Sequence, residues 1–244
     1  MENILHLYSL PYNPLRPLVV FDERPCPLAF PPVRCVLGTR RCILWSSDAA
    51  RQVRFGIKKK RPCFLIGDVI TPVPMEAGKP KRQHYEYAKN GCCTVFLACE
   101  PLTGKRWVQV FKRRTGKEYA EFMDYLAKQF KDAEKIVLVQ DNLTTHSINS
   151  FYAHLNKETA FDLAQRFEMH YTPTKSSWLN MAELELSVLS RQCLNRRIGS
   201  MVELEREVRA WVKERNIACV KVKWQFSIVN AREKFANRYP VTKH

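Results

Sequence analysis

Apolar residues in this chain come in short runs bounded by polar or turn-forming residues, and this pattern predicts an alternation of strands and helices. The predicted strands cover 18–23, 64–70, 92–100, 105–112, 135–140 and 167–171. The run at 135–140 is almost continuously apolar, which is typical of a parallel strand that is covered on both sides. The turn sequence PLTG at 101–104 predicts a β-hairpin between two of the strands.

Helical spacing of apolar residues begins after this hairpin. Residues 113–132 carry an apolar stripe, and Thr115 with Glu118 forms a capping-box pattern near its start. Further helices are predicted over 147–155, 157–167, 178–195 and 200–215. The order of these elements is that of the ribonuclease-H-like fold, an α/β fold with a mixed five-stranded sheet flanked by helices. We expect residues 1–240 to form one such domain.

Composition adds a strong positive charge to this picture. Forty Lys and Arg residues against 24 Asp and Glu give a net charge of +16, which favours a polyanionic partner such as nucleic acid. No apolar run is long enough to span a membrane, and the first residues lack a signal-peptide pattern. The sequence contains no CxxC pair, so a zinc site is not expected. We expect a cytoplasmic, nucleoid-associated bacterial protein.

A short repeat suggests that part of this charge was acquired by insertion. The tripeptide Arg-Pro-Cys at 24–26 recurs 37 residues later at 61–63. The segment 27–63 has nine basic residues and one acid, a net charge of +8, and no clear periodicity. We predict that residues 27–63 are a basic insertion that duplicated its flank. A chance repeat around a native basic loop is the alternative.

Three acidic residues are candidates for catalysis by metal ions. Asp22 ends the strand at 18–23, Asp141 follows the strand at 135–140, and Glu183 lies early in a predicted helix. The carboxyl ends of adjacent strands open into a crevice in sheets of this kind. Three carboxylates there would hold two Mg²⁺ ions roughly 4 Å apart for phosphoryl transfer, and Mn²⁺ can replace them.

Two of these acids have rivals nearby in the sequence. Asp68 follows another apolar run and competes with Asp22. Glu185 competes with Glu183, and because the two are about 200° apart on a helix, only one of them can face the metal ions. The apolar stripe of this helix favours Glu183 only modestly.

Other residues are predicted to support the site or to contact DNA. Asn142, His146 and Asn180 are the supporting candidates, although His146 is equally suited to cap the next helix. Basic residues alternate with aromatic residues between 73 and 91, a composition that suits phosphate contact and base stacking. The predicted DNA-binding residues are Lys79, Lys81, Arg82, Tyr85, Lys175 and Trp178. A solvated loop, and core packing for Trp178, are the alternatives.

Several ordered motifs carry a family resemblance. The segments VVFDERPC, GKPKRQHYEYAKNG, FLACEPLTG, VLVQDNLTTH, HYTPTKSSWLNMAELELSVLSRQCLNRRI and WVKERN resemble bacterial insertion-sequence transposases of the mariner-related DDE superfamily. The resemblance covers about residues 8–26 and 64–240. It places the family's first two acids on Asp22 and Asp141, and its Asn-x-x-acid pattern on Asn180 and Glu183, which favours Glu183 over Glu185.

The resemblance also implies a function. It implies Mg²⁺-dependent DNA cleavage at transposon ends and transfer of the 3′ ends into a short target such as TA, by an enzyme that acts as a homodimer. The helix-turn-helix modules that precede the catalytic core in this family are expected to be absent from this chain. The alternatives are a non-catalytic DNA-binding remnant and a ribonuclease-H-like repair nuclease.

Overall fold

The computed structural model of the chain describes residues 1–25, 63–79, 82, 87–174 and 176–238. The strands are β1 (Leu18–Pro25), β2 (Cys63–Asp68), β3 (Tyr87–Glu100), β4 (Lys105–Phe111), β5 (Ile136–Gln140) and β6 (Phe167–Tyr171). The α-helices are α1 (Glu2–Ser9), α2 (Gly116–Ala127), α3 (Ile148–His154), α4 (Lys157–Arg166), α5 (Ala182–Gln192), α6 (Met201–Ile217) and α7 (Ile228–Lys234). Among these helices, none has the length and apolarity that a membrane crossing requires.

The sheet is mixed and has the order β4-β3-β1-β5-β6. Strand β3 pairs antiparallel with β1 and with β4, whereas β1, β5 and β6 run parallel to one another. The first strands thus form an antiparallel meander, and the later strands are added in parallel through helices. This arrangement confirms the predicted ribonuclease-H-like sheet flanked by helices.

A sixth strand, β2, continues the pairing register of β1 along β3. Pro25, the last residue of β1, is paired with Thr94, and Cys63, the first residue of β2, is paired with the adjacent Cys93. Strands β1 and β2 therefore occupy successive positions along one partner strand. Residues 26–62 separate them in the sequence and lie outside the described residues, as does nearly all of the predicted insertion.

Two hydrophobic cores lie on the two faces of the sheet. Because side chains alternate along a strand, Val20 belongs to one core and Phe21 to the other. Helices α5 and α6 cover the core of Val20, whereas α2, α3 and α4 cover the core of Phe21. Every residue of β5 is buried, as the continuous apolar run at 135–140 predicts.

The helices agree with the predicted ones in position but differ at their ends. Thr115 caps α2 and forms the predicted capping box with Glu118. Helix α5 begins at Ala182 rather than at 178, because residues 177–179 form a 3₁₀ turn. Helices α1 and α7 were missed, since neither carries a long apolar stripe; they are short and contact each other.

Candidate metal and active site

Asp22 and Asp141 lie at the same end of two neighbouring parallel strands. Val20 of β1 is paired with Val139 of β5, and each acid comes two residues after its valine. Asp22 is buried, and its Oδ1 accepts a hydrogen bond from the backbone N–H of Glu23 at 2.8 Å. The side chain of Asp141 keeps 21% of its surface exposed. The sheet therefore brings the first two predicted acids to one edge.

Glu183 lies in the helix α5, which packs on the sheet against β1 and β3. It lies half-buried in the first turn of α5. The buried side chain of Asn180 donates a hydrogen bond from Nδ2 to the carbonyl oxygen of Phe21 at 2.8 Å and accepts one from the backbone of Ala182. Asn180 thus fastens the start of α5 to the residue before Asp22.

Glu185, the rival of Glu183, is buried in a network of ion pairs. Its two carboxylate oxygens lie 2.7 and 2.9 Å from Nε and Nη2 of Arg106, and Arg215 is 3.1 Å away. Burial alone would raise the pKa of Glu185, but the hydrogen bonds and charge of Arg106, together with Arg215, outweigh it and lower this pKa. The structure therefore assigns Glu185 a place in the packing between α5, β4 and α6.

Asp68, the rival of Asp22, is separated from Asp141 by the order of the strands. It ends β2, which pairs with β3 and not with β5. Its carboxylate forms an ion pair with Arg197 at 2.7 Å. Asp68 is thus removed from the edge where Asp22 and Asp141 lie.

His146 bridges two carboxylates at this edge, one of which the sequence analysis did not single out. Its Nδ1 lies 2.5 Å from Oδ1 of Asp141, and its Nε2 lies 3.0 Å from Oε2 of Glu23. Burial lowers the pKa of His146, but the hydrogen bonds to Asp141 and Glu23 outweigh burial and raise the pKa to about 9. The imidazolium that this favours donates to Asp141 and forms an ion pair with Glu23. In the sequence, the one signal that could have pointed to Glu23 is its position next to Asp22.

The remaining predicted residues are less closely tied to this edge. Asn142 directly follows Asp141 and is exposed, and its supporting role stays a prediction. Lys79 and Arg82 are exposed on the segment after β2, where Lys79 pairs with Glu76 at 3.2 Å. Lys81, Tyr85 and Lys175 lie outside the described residues.

Trp178 packs in an aromatic cluster, and its role as a DNA contact stays a prediction. Its ring is stacked on that of Trp224, with a centroid distance of 6.4 Å, and meets Phe226 edge-on at 5.4 Å. Nevertheless, 42% of the residue is exposed. It therefore packs within an aromatic cluster and still presents part of its ring beside the start of α5.

Sequence comparison decides the family of this chain. The model of the DDE superfamily endonuclease family matches residues 64–205, which is more than half of the 244 residues. The chain belongs to this family. The matched DDE endonuclease segment contains Asp141 and Glu183 and begins directly after the predicted insertion, while Asp22 lies ahead of it. No curated protein matches the chain.

Two solved structures resemble this DDE endonuclease. One is the Mos1 strand transfer complex, with a TM-score of 0.48, 13% identity, and coverage of 90% of this chain and 58% of that chain. The other is the catalytic domain of Mos1 mariner transposase, with a TM-score of 0.47, 11% identity, and coverage of 90% and 87%. The chain thus spans little more than half of the protein in the strand transfer complex.

The donor atoms at the sheet edge fit a divalent metal ion. Within the described ranges, the group of three donor atoms that lie within 4.8 Å of one another comes from Glu23, Asp141 and His146, and no such group includes Asp22 or Glu183. Asp22 and Asp141 supply hard oxygen donors at adjacent strand ends, and Mg²⁺ and Mn²⁺ prefer such ligands. Asp141 is also partly exposed, so that a metal ion and a substrate can reach it.

Proposed function

We propose that this chain is the catalytic domain of a DNA transposase, in which Asp22, Asp141 and Glu183 hold two Mg²⁺ ions, or Mn²⁺ in their place. The observation that carries the proposal is the pairing of Val20 with Val139, which sets the first two acids side by side at one sheet edge. The Asn180 hydrogen bond to Phe21 supports the third ligand, because it ties the helix of Glu183 to this edge. Membership in the DDE endonuclease family supports Asp141 and Glu183, which lie within the matched residues 64–205.

The bound ions would activate an attacking water or 3′-hydroxyl and stabilise the leaving oxygen of a phosphodiester. The residues of the chain bind and orient these ions. Asp22 is held in β1 and Glu183 in α5, so their carboxylates are positioned by regular secondary structure. Asp141 follows β5 directly and is held by His146. A site on rigid elements keeps the geometry that displacement at phosphorus requires.

DNA is the proposed substrate and partner. The net charge of +16 supports binding to a phosphate backbone through counterion release. Exposed Lys79, Arg82 and Trp178 are proposed DNA contacts in the described part of the chain. Lys81, Tyr85 and Lys175 are proposed contacts on sequence grounds. By analogy with the mariner-related resemblance, the substrates are transposon ends and a target such as TA, and the active form is a homodimer in a bacterial cytoplasm.

The insertion of residues 27–63 forms part of this proposal. Removing 37 residues would place Cys26 opposite Cys93, so that β1 and β2 would pair with β3 as one uninterrupted strand. The Arg-Pro-Cys repeat supports the same boundaries. We infer a catalytic domain over residues 1–240 whose first strand was interrupted shortly after Asp22.

A nicking assay tests the proposed activity. The purified chain, with and without residues 27–63, is incubated with supercoiled DNA and Mn²⁺ or Mg²⁺. Metal-dependent nicking that Asp141→Asn abolishes is the expected result. If neither chain nicks DNA but both bind it, the protein is a non-catalytic remnant. Nicking without strand-transfer products from a transposon-end oligonucleotide would instead identify a nuclease.

A further inference from the structure

We propose that Glu23 is a positioning residue, which acts through His146 to hold the carboxylate of Asp141 in the orientation that binds metal. This inference rests on the proposed function, because it takes Asp141 as a metal ligand. Two distances carry it: 3.0 Å from Glu23 Oε2 to His146 Nε2, and 2.5 Å from His146 Nδ1 to Asp141 Oδ1. The imidazole ring thus connects the two carboxylates.

The ring of His146 is held in a slot that prevents it from turning. Tyr119 is stacked on it at a centroid distance of 4.9 Å, and Phe21 meets it edge-on at 5.3 Å. Only 2% of His146 is exposed. Because packing fixes the ring plane, the direction in which each nitrogen points is also fixed. A change at Glu23 therefore affects the nitrogen that faces Asp141.

The backbone between Asp141 and His146 is fastened at the same place. Gln140 donates a hydrogen bond from Nε2 to the carbonyl oxygen of His146 at 3.1 Å. The hydroxyl group of Tyr119 in turn donates to Oε1 of Gln140 at 2.9 Å. Both ends of the turn that carries Asp141 are thereby attached to buried groups. His146 therefore holds Asp141 in two ways: its side chain contacts the Asp141 carboxylate, and its main-chain carbonyl is hydrogen-bonded to Gln140, the residue before Asp141.

Glu23 reaches this network because it points away from Asp22. Adjacent residues of a strand face opposite sides of the sheet, so Asp22 lies on the side of α5 and Glu23 on the side of α2. Arg114, just before α2, lies 3.6 Å from Glu23 Oε1 and balances its charge. The two adjacent acids therefore have different proposed roles. Asp22 is a proposed metal ligand, and Glu23 supports Asp141 from the opposite face of the sheet.

The distance between His146 Nδ1 and Asp141 Oδ1 is that of a hydrogen bond, not that of two ligands on one metal ion. Adjacent ligands of an octahedral Mg²⁺ ion, with bonds of about 2.0–2.1 Å, are separated by about 2.9 Å. His146 Nδ1 and Asp141 Oδ1 are closer than this, at 2.5 Å, which is the separation of a hydrogen bond. With Nδ1 of His146 on Asp141 and Nε2 on Glu23, we take Glu23 and His146 as partners of the ligand Asp141.

Removing such a partner of a metal ligand typically costs about 10- to 100-fold in metal affinity. The test measures binding of Mn²⁺ alone, without DNA, by calorimetry on the full chain. Glu23→Ala is expected to weaken Mn²⁺ binding by about 10- to 100-fold. Glu23→Gln keeps an oxygen that accepts from His146 and is expected to recover part of the loss, which a general packing defect would not do. Unfolding midpoints without metal confirm that the variants are folded.

Glu100→Ala is the matched control. Glu100 is also a buried acid of the sheet, but it lies four residues beyond Phe96, the β3 residue that is paired with Glu23. Its removal should leave the Mn²⁺ affinity unchanged. If Glu100→Ala weakens Mn²⁺ binding as much as Glu23→Ala, the loss is one of general stability and the inference is overturned.

Asp141→Asn separates the two levels of inference. If this variant binds Mn²⁺ as the wild type does, the proposed metal site itself is wrong. If it loses binding while both Glu23 variants keep the wild-type affinity, the positioning role of Glu23 is refuted and the proposed function stands. Should Glu23→Ala fail to fold, Glu23→Gln and His146→Gln decide: intact Mn²⁺ affinity in both overturns the role, and weakened affinity in both supports it.

Discussion

Exchanging Glu183 and Glu185 for alanine, one at a time, should separate a catalytic acid from a structural one. The two residues lie in the same turn of α5, so the helix context of the two substitutions is closely matched. Glu185 is 3% exposed and accepts hydrogen bonds from Arg106 and Arg215. Within the described part of the chain, Glu183 forms no ion pair and is half-buried. The two substitutions should therefore have opposite consequences.

The loss of stability in Glu185→Ala can be worked out from the burial of its partners. The side chain of Arg106 is only 1% exposed, and that of Arg215 15%, so the substitution leaves buried positive charge without its carboxylate. Breaking a buried ion pair in this way costs about 3–5 kcal/mol. At about 2–4 °C per kcal/mol for a chain of this size, the unfolding midpoint should fall by roughly 6–20 °C.

Glu183→Ala should change the free energy of unfolding by no more than about 0.5 kcal/mol, since it removes a partly exposed side chain from no buried network. It should nevertheless abolish metal-dependent nicking, because a proposed ligand is lost. Glu185→Ala, assayed well below its own unfolding midpoint, should still nick DNA.

Thermal unfolding and the nicking assay together decide between the two acids. The reasoning is refuted if Glu183→Ala unfolds at as low a temperature as Glu185→Ala. It is equally refuted if Glu185→Ala unfolds like the wild type and has lost nicking, because Glu185 would then act at the site and not in the packing.

Three further predictions follow from other contacts. Asn180→Ala leaves the carbonyl of Phe21 without its side-chain donor; we expect a loss of about 1–3 kcal/mol in urea unfolding together with reduced nicking. The pKa of Glu185 is lowered in the folded state, so its contribution is present above the ordinary value of 4.5 and is lost as the pH falls through the folded pKa. The stability difference between wild type and Glu185→Ala should therefore shrink below pH 4.5, and a difference that grows there would contradict the prediction. Deleting residues 27–63 shortens the connection that folding must close, which lowers the entropic cost of closure by about 3 kcal/mol. The unfolding midpoint should therefore rise, and a lowered midpoint would argue against the insertion.

The candidate catalytic acids could be proposed from sequence because their positions follow from local patterns. Asp22 and Asp141 each follow an apolar run, and strand ends are predictable from such runs. The capping box of Thr115 and Glu118 was equally readable, since its members are three residues apart.

Roles that depend on distant residues could not be read in this way. Arg106 and Glu185 are 79 residues apart, and nothing near Glu185 reveals its partner. Glu23 and His146 are still farther apart, and they meet only because β1 and β5 are neighbours in the sheet. The sequence therefore assigned no separate role to Glu23.

The sequence by itself determined the kind of sheet, the order of its elements and the strand ends that carry acids, because hydrophobic periodicity and turn signals act over a few residues. Only the tertiary structure decided which partners the acids of each neighbouring pair meet. Side chains that alternate across a sheet or diverge around a helix meet different partners, and those partners come from remote parts of the chain. Glu23 and Glu185 are held in buried networks for this reason, while Asp22 and Glu183 remain the proposed metal ligands.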